Sequence, residues 1–548
     1  MPTVLYRNGV IHAPAAPFAQ ALLVADGRVA WLGDEDSVHT VADGADEVVD
    51  LDGALVTPGF VDAHAHVLET GFALAGLDLS PDAGVTSLAA ALAAVGAAAH
   101  RYRSEGRTDP LLGFGWDESG WPERRRPTRA EIDAVTGGAP VYLARVDAHG
   151  AVVSSTFAEV SGCDTEPGWH EDGWVTQTAH HRARTAARAV APERREELSR
   201  LALRAAAAAG IVAVHEHSGP YLDSRSGLAD LIATTADAAA GLPLVVGYRA
   251  ELCETTDDAR ALAAAIPGLT GIGGDLNVDG SIGSRTAALN HRYVDLPPDT
   301  PDATGVLYLR AEQVANHVAS VTRAGFQTAF HVIGDRAMAE VLLGFQAATD
   351  VEGVGPVRGL GHRIEHAEMI DAAALAQLVL LGLSVSAQPA FDAAWGGPNG
   401  LYAQRLGAVR ATDLNPLADL AAAGVPLAFG SDSPVTPFDP WAAVRAAVFH
   451  HVGDQRISAR AAFRAHTRGG WRLAGRPDVG EIALGAPAHL AFWRTDTLAV
   501  QAPNHRVAAW STDARAGTPL LPELGPDLPA PRCLRTLRDG LVIHDAWD

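Results

Sequence analysis

The chain has 548 residues, of which 48% are hydrophobic and 20% are charged, so its composition is that of a globular protein and excludes a disordered or fibrous chain. The 42 basic residues against 65 acidic residues give a formal net charge of −23, which disfavours nucleic acids and anionic membrane surfaces as partners. The three cysteines lie far apart without a CxxC motif, which argues against a disulfide framework or a cysteine-based zinc site and favours a reducing compartment.

Short strand-like runs open and close the chain. VLYRNGVIH, ALLVADGRVAWLG and EVVDLDGALV come first, and GEIALGAPAHLAFW and RTLRDGLVIHD come last, around a Pro-rich loop at 519–531. Runs of this kind between Gly and Asp turns are typical of small antiparallel sheets. We therefore predict one small β-sandwich domain made from residues 1–57 and 473–548. The opening segment also lacks a signal-peptide pattern and no long apolar stretch follows, so we expect a cytoplasmic protein without a membrane span.

The middle of the chain alternates strand-like and helix-like segments. The candidate strands are 54–64, 210–216, 243–248, 271–279, 325–332, 359–366, 383–389 and 425–432. Segments rich in Ala, Leu, Glu and Arg, such as 192–209 and 311–324, lie between them. Eight strands in this alternation predict an α/β fold, a (β/α)8 TIM-type barrel over residues 58–472. The long first connection predicts an insertion at about 70–190 that forms a lid or side domain.

The strongest local motif is His64-Ala65-His66, at the end of an apolar strand. Residues two apart on a strand point to the same side, so both imidazoles could bind one metal ion. His331, His366 and Asp432 also stand at the ends of candidate strands. In a barrel these ends face one rim, where active sites are built, and four imidazoles with a carboxylate favour a borderline metal, zinc above others. Taken singly, each of these residues could instead be a capping or core residue.

Several blocks of the sequence resemble the amidohydrolase superfamily. They are TPGFVDAHAH (57–66), DGSIGSRTAAL (279–289), HVIGDRA (331–337), RIEHAE (363–368) and SDSP (431–434). The chain is most similar to amidohydrolase family 3, the branch that contains the N-substituted formamide deformylases, and GWDESGWPERRRPT (115–128) and VDAHGAVVSS (146–155) also resemble that branch. The resemblance covers nearly the whole chain. It implies a metal-dependent hydrolase on a (β/α)8 barrel with a β-sandwich domain assembled from both termini.

The resemblance also implies a role for each strand-end residue. His64 and His66 would bind the more buried metal ion, and His331 and His366 would hold a second ion, or one of them would contact the substrate. Asp432 would bind metal and act as the general base. Zinc lowers the pKa of bound water to about 7, and an adjacent carboxylate can take the proton and pass it to the leaving nitrogen.

One position departs from the family pattern. Many relatives carry a carboxylated lysine on the fourth strand, at the position that is Asp275 here, and this chain has no lysine at all, so no carboxylated lysine can form. Three interpretations of Asp275 stay open: a carboxylate that bridges two metal ions, a bystander to a single ion, or a strand-end partner of an arginine. Aspartate reaches less far than a carboxylated lysine, which slightly favours one divalent ion over two.

Weaker signals mark candidate substrate-binding residues. The resemblance places Asp279 and Arg285 in a loop of the substrate pocket and brings His149 into the active site, and Trp116 could line an apolar wall. Their alternatives are a tight turn with a local Asp–Arg pair for the first two and an ordinary core position for Trp116. A second His-x-His pair, His215 and His217, lies at the end of the second strand. We rank that pair as support for the metal site or part of its rim.

Three functions remain open. The first is hydrolysis of a non-peptide C–N bond in a small amide or formamide-like substrate. The second is hydrolytic deamination, which a single metal ion would favour and which would release ammonia. The third is a non-catalytic binding protein, which the intact set of candidate ligands disfavours. The sequence does not identify the substrate or the oligomeric state, although sheet edges and barrel rims commonly offer homodimer surfaces.

Overall fold

A nearly closed sheet of eight parallel strands forms the centre of the protein. The computed structural model describes residues 1–501, 510–511, 518–525 and 527–547. In this sheet each strand pairs with the next one along the chain. We label the strands in chain order: β1 (Phe60–Ala65), β2 (Ile211–Ser218), β3 (Leu244–Arg249), β4 (Gly271–Ile272), β5 (Gln327–Val332), β6 (Arg363–His366), β7 (Ser384–Ala387) and β8 (Leu427–Phe429).

The two outer strands meet at their carboxyl ends. Asp432 N donates to His64 O at 2.7 Å, and His66 N donates to Ser433 O at 2.9 Å, so backbone hydrogen bonds join β1 to the segment after β8. Ala65 and Ser433 form a parallel bridge at the same point. The predicted α/β fold is confirmed, and the eight-stranded parallel sheet fits a TIM barrel.

Helices cover the outside of this sheet. They are Val67–Ala75, Pro192–Ala208, Arg225–Ala236, Thr256–Ala265, Ala311–Ala324, Asp335–Glu352, Val354–Gly359, Ala372–Leu381, Pro389–Trp395, Leu401–Leu406, Ala408–Ala411, Leu417–Ala422, Pro440–Val448, Ala459–Arg464 and Gly470–Leu473, with a π-helical turn at Ala465–Gly469. Between the helices and the strands lies the largest hydrophobic core. Across the described part of the chain, no helix has both the length and the apolar character needed to cross a membrane.

The bounds of the strands differ from the predicted ones by several residues, and two predicted strands are divided or ended by glycines. The first one divides at Gly59, so that Leu55–Pro58 joins a terminal sheet and β1 begins at Phe60. The fourth stops at Ile272 because Gly273 and Gly274 have φ of 132° and 88°, which side-chain-bearing residues rarely adopt. A Cβ atom on Gly273 would also lie 2.2 Å from Ala329 O. The glycines end the strand and turn the next segment across the rim.

The long connection after β1 contains a second sheet. Its strands are Leu77–Asp78, Leu111–Trp116, Val141–Arg145, Ala151–Val153 and Trp174–Val175, and its helices are Leu88–Ser104, Arg129–Thr136, Ser155–Ser161 and Gln177–Ala187. A buried ion pair between Arg188 and Glu69 ties the end of this segment to the helix that follows β1. The sheet lies inside the segment that the sequence predicts to be an insertion.

Strands from both ends of the chain share one sheet. It contains Val10–Ile11, Leu55–Pro58, Leu490–Arg494, Arg532–Arg538 and Leu541–Asp545. A four-stranded sheet (Val4–Arg7, Ala21–Ala25, Arg28–Gly33 and Glu47–Asp50) and a three-stranded one (Leu498–Gln501, Trp510–Ser511 and Leu521–Pro522) accompany it. A separate β-sandwich domain stays a prediction. Within its predicted segment 473–548, residues 502–509, 512–517, 526 and 548 lie outside the described residues.

Candidate metal centre

The predicted ligands converge at the carboxyl-terminal rim of the barrel. His64 lies in β1, His331 in β5 and His366 at the end of β6. His66 directly follows β1, and Asp432 lies three residues after the end of β8. His366 and Asp432 have positive φ, 66° and 55°, a strained conformation for residues with side chains. Such strain is retained where the surrounding structure enforces it, commonly at functional sites. At both positions the chain turns sharply as it leaves the strand.

Asp275 lies among the four histidines. Its Oδ1 is 3.5 Å from His64 Nε2, 3.6 Å from His366 Nε2 and 3.3 Å from His331 Nδ1. Its Oδ2 is 3.2 Å from His66 Nε2. The structure therefore does not pair Asp275 with an arginine, one of the three interpretations left open by the sequence.

Asp432, in the loop after β8, is the sixth side chain of the cluster. Its Oδ1 is 3.4 Å from His64 Nε2 and 3.2 Å from His66 Nε2. All six side chains are buried or nearly so, and Asp275 and Asp432 retain 16% and 11% exposure toward the cavity beside them.

The spacing of these atoms fits metal coordination. Zinc binds imidazole and carboxylate at about 2.0–2.2 Å, so the donor atoms of a tetrahedral site lie about 3.3 Å apart. The nitrogen–oxygen distances of 3.2–3.6 Å match that spacing. His64 Nε2 and His366 Nε2 are also buried without a hydrogen-bond partner. Buried nitrogens without partners are costly, and a cation between them would remove that cost.

Partners on the other side of each ring orient three of the histidines. His64 Nδ1 donates to Glu365 Oε2, His66 Nδ1 to the carbonyl of His217 and His366 Nδ1 to Gln388 Oε1, each at 2.9 Å. A carboxylate or carbonyl oxygen can only accept, so Nδ1 carries a proton in each ring and Nε2 is the atom that faces the centre. Hydrogen bonds of this kind are the usual second layer around metal-binding histidines.

The electrostatics of the cluster also favour a cation. Burial alone would lower the pKa of His64, but the nearby carboxylates of Asp432, Glu365 and Asp275 outweigh burial and raise it to about 10. The same balance, with Asp275 and Asp432 as partners, raises the pKa of His66. Burial works in the opposite direction on Asp275, and its histidine neighbours nevertheless hold its pKa well below the usual range. The carboxylates thus create a strongly negative potential that attracts positive charge.

A cavity of about 490 Å³ opens beside the cluster. It is lined by His66, Asp275, His331 and Asp432 together with His149, whose ring centroid lies 5.1 Å from that of His331. A smaller pocket of about 20 Å³ adjoins the cluster on another side. Its apolar wall consists of Ile282, Ile333, Phe391, Trp395, Leu401 and Val435. His149 is thus the predicted substrate-binding residue that the structure brings to the centre.

The other three predicted substrate-binding residues lie elsewhere. Asp279 is fully buried and accepts backbone N–H groups of Ala288, Ile333 and Gly334, which fixes the loops around the rim. Arg285 pairs with Asp295 rather than with Asp279. Trp116 is 1% exposed in the core of the inserted sheet and donates to Leu143 O. None of the three lines either cavity at the cluster.

Known proteins match this chain along most of its length. A profile of the amidohydrolase family matches residues 47–544. The chain belongs to the amidohydrolase family. This membership confirms the predicted amidohydrolase-type hydrolase acting on carbon–nitrogen bonds and, with the converging donor atoms, its metal-dependent class.

Individual relatives of this amidohydrolase agree with that assignment. The putative amidohydrolase YtcJ of Bacillus subtilis is 25% identical over 449 residues, covering 78% of this chain and 80% of YtcJ. The N-substituted formamide deformylase of Arthrobacter pascens is 34% identical over 145 residues, 26% of each chain. The solved structure of an uncharacterized metal-dependent hydrolase from Pyrococcus furiosus has 26% identity and a TM-score of 0.67, covering 90% of this chain and 99% of that one.

Beneath the centre, this amidohydrolase has a layer of charged and aromatic residues that the sequence analysis missed in part. The ring of His217 stacks on that of His64 at 4.0 Å, and His215 Nδ1 accepts from Arg363 Nη1 at 2.8 Å. Arg363 in turn donates to Glu365, the partner of His64. The second His-x-His pair therefore packs beneath the first. Arg363 and Glu365 flank Ile364 in β6. Two charged residues that alternate along a predicted barrel strand are the sequence pattern that could have revealed this layer.

Proposed function

We propose that this amidohydrolase cleaves a non-peptide C–N bond in a small amide or formamide-like substrate. The observation that carries the proposal is the convergence of four imidazole nitrogens and two aspartates at the mouth of a cavity of about 490 Å³. A cavity of this size suits a small molecule rather than a macromolecule. The similarity to an N-substituted formamide deformylase supports a formamide-like substrate.

We propose two divalent ions, zinc above others, held by overlapping donor sets. His64, His66 and Asp275 would hold one ion, and Asp275, His331 and His366 would hold the other. Asp275 belongs to both sets, so it would take the bridging position that a carboxylated lysine has in many relatives. When bound, such ions polarise the substrate carbonyl and lower the pKa of a coordinated water to about 7.

Asp432 would act as the general base. Despite its burial, the neighbouring imidazoles of His64 and His66 hold the pKa of Asp432 below the usual range, so the carboxylate stays ionised at neutral pH. In that state Asp432 can accept a proton from the attacking water and then deliver it to the leaving nitrogen. It lines both cavities at the cluster, which puts it in reach of both groups.

The two cavities suggest how the substrate is oriented. The pocket of about 20 Å³ has room for a small acyl group such as formyl against Phe391 and Val435. The larger cavity would take the substituent on nitrogen. Hydrolytic deamination is the second candidate, and a single ion bound without Asp275 would favour it. The overlapping donor sets favour the first candidate.

The decisive experiment combines metal analysis with a substrate panel. Protein purified without chelator should contain about two divalent ions per chain and should release formate from N-alkylformamides faster than acetate from the matching acetamides. Removal of the ions by a chelator should stop turnover, and added zinc should restore it. Ammonia from cyclic amidines without a carboxylic acid product would instead identify a deaminase. Protein that binds no divalent ion even when incubated with zinc, manganese or cobalt would overturn both candidates.

A further inference from the structure

One cationic side chain in the large cavity has no carboxylate partner. Arg184 lies on the helix Gln177–Ala187 of the inserted segment and lines the cavity. Its guanidinium donates to Ala148 O, and its Nε is buried without a hydrogen-bond partner. Among the residues that the structure describes, Arg184 forms no ion pair, whereas Arg182 and Arg188 on the same stretch pair with Glu166 and Glu69.

The carboxylates that line the cavity already have partners of their own. Arg188 donates from Nε and Nη2 to the two carboxylate oxygens of Glu69, and Arg249 forms an ion pair with Glu251. Asp147 lies 3.0 Å from Arg145, while Asp275 and Asp432 face the histidine cluster. Glu69, which Arg188 binds directly, acts on Arg184 only at longer range. A partly buried guanidinium with no carboxylate in contact is costly unless a ligand supplies one. The charge of Arg184 is therefore available to a molecule in the cavity.

Arg184 is also connected to the metal centre through a short path. It holds Ala148, and the next residue, His149, packs its ring against His331. The neighbouring imidazole of His181 stacks on Tyr221 at 4.2 Å, and burial, aided by Arg184, lowers the pKa of His181 to about 4. His181 is consequently neutral at pH 7 and does not compete with Arg184 for an anion. Positive charge on this wall is concentrated in one guanidinium.

We propose that Arg184 binds a carboxylate of the substrate, so that the enzyme acts on small amides that carry an anionic group. The planar fork of a guanidinium matches the two oxygens of a carboxylate. A molecule in the cavity can place its carbonyl at the cluster and its carboxylate at Arg184, because both line the same space. The proposal rests on the proposed function for the bond that is cleaved. The binding of the anion can be measured without any cleavage.

The test uses two probes that cannot be hydrolysed. Levulinate is a ketone with a carboxylate, and acetonylacetone is the neutral diketone of similar shape. Diketones of this kind react with lysine side chains, and this chain contains no lysine. Calorimetric titration of the zinc-loaded protein should show preference for levulinate. The Arg184→Met variant should lose affinity for levulinate on the order of 100-fold and keep its affinity for acetonylacetone within a few-fold. Arg182→Met, on the same helix but paired with Glu166, is the matched control and should behave as wild type.

Three outcomes would contradict the proposal. Equal losses for both probes would mean that Arg184 only positions Ala148 and His149. Unchanged levulinate binding in Arg184→Met would mean that the metal centre holds the anion. Equal affinity of wild type for both probes would mean that the cavity does not select anions. If levulinate behaves as expected but no amide is hydrolysed, the proposed function fails while the anion site stands.

Discussion

Asp432 faces His64 and His66 from across the cluster, with both imidazole nitrogens within 3.4 Å of its Oδ1. Replacing this carboxylate by an amide keeps the shape and removes the proton acceptor. Asp432→Asn should lower kcat by about 100- to 10,000-fold, the usual contribution of a general base, and leave metal bound or only weakened. Turnover of the substrate found in the panel and elemental analysis measure the two effects.

A matched control for this variant is Asp439→Asn. Asp439 caps the helix Pro440–Val448 by accepting from Ala442 N, and asparagine caps equally well, so activity should not change. Near-normal kcat in Asp432→Asn would contradict the general-base role. A variant that lost both metal and activity would show instead that Asp432 is mainly a ligand.

Asp275 decides how many ions the centre holds. Because it belongs to both donor sets, Asp275→Ala should reduce the divalent metal content from about two ions per chain to about one. Asp295→Ala removes a carboxylate that pairs with Arg285 and Arg405 away from the cluster, and it should leave the metal content unchanged. Elemental analysis of the two variants side by side gives the result. An unchanged metal content in Asp275→Ala would reduce Asp275 to a bystander.

At the residue scale, the sequence predicted which side chains converge at the rim better than it predicted their hydrogen-bond and ion-pair partners. His64, His331 and Asp432 stand at the ends of apolar runs, so a local pattern is enough to place them on one rim. Arg184 contacts Ala148, and Gln388 contacts His366, across segments that are far apart in the chain. No spacing in the sequence predicts these contacts. For Arg285, proximity in the sequence suggested a local ion pair with Asp279, but in the folded protein Arg285 pairs with Asp295.

At the scale of elements, one buried arginine joins the inserted sheet to its surroundings. Arg145 is 2% exposed and contacts carboxylates of Asp117, Glu118 and Asp147 at 3.1, 2.9 and 3.0 Å. Asp147 also accepts hydrogen bonds from Ser281 and Ser284, in the loop after β4. This arginine therefore holds together the segment that carries His149 and a loop of the barrel rim.

Removal of that arginine should be far more costly than removal of a surface one. Arg145→Met leaves the carboxylates of Asp117 and Asp147 without their cation and Glu118 with Arg405 alone. We expect a loss of about 3–5 kcal/mol in the free energy of unfolding. Arg126→Met is the matched control in the same segment, since Arg126 and Asp172 are 35% and 37% exposed, and should cost less than about 1 kcal/mol. Thermal unfolding of both variants compares the effects. Similar midpoints would contradict the structural role of Arg145.

The elements themselves were predicted where periodicity was strong. All eight barrel strands occur in the predicted order. The fourth is shorter than predicted because two glycines with positive φ end its ladder, and hydrophobicity alone does not show backbone angles. That early end turns the chain across the rim, and Asp275 follows directly after the glycines.

At the scale of the whole molecule, several histidines are buried without charge. Burial lowers the pKa values of His12, His317 and His466 to about 4 and that of His362 to about 3. These groups bind protons in the unfolded chain from about pH 6.5 downward but not in the folded protein until lower pH. The unfolded state therefore takes up more protons, and the stability of the protein should fall as pH falls from about 6.5 to about 4.

His317 allows this to be tested away from the metal centre. Its Nδ1 accepts from Cys253 N at 3.0 Å, so its Nε2 carries the proton and donates to Thr328 Oγ1 at 2.9 Å. Protonating Nδ1 would oppose the N–H of Cys253, which keeps the ring neutral. The difference between 6.5 and about 4 corresponds to about 3 kcal/mol of stability that is present at pH 7 and lost by pH 4.

His317→Gln should make the stability profile shallower in acid. Glutamine does not titrate, so the fall in the free energy of unfolding between pH 7 and pH 4 should be smaller than in wild type by up to about 3 kcal/mol, whatever constant offset the lost hydrogen bonds introduce. Urea unfolding of both proteins across this pH range measures the difference in the free energy of unfolding. Any contribution from metal release is the same in both proteins and cancels in that difference. His100→Gln, which replaces an exposed imidazole in the same way, is the control. A fall in stability as steep in His317→Gln as in wild type would show that this imidazole binds its second proton at the same pH in the folded protein as in the unfolded chain.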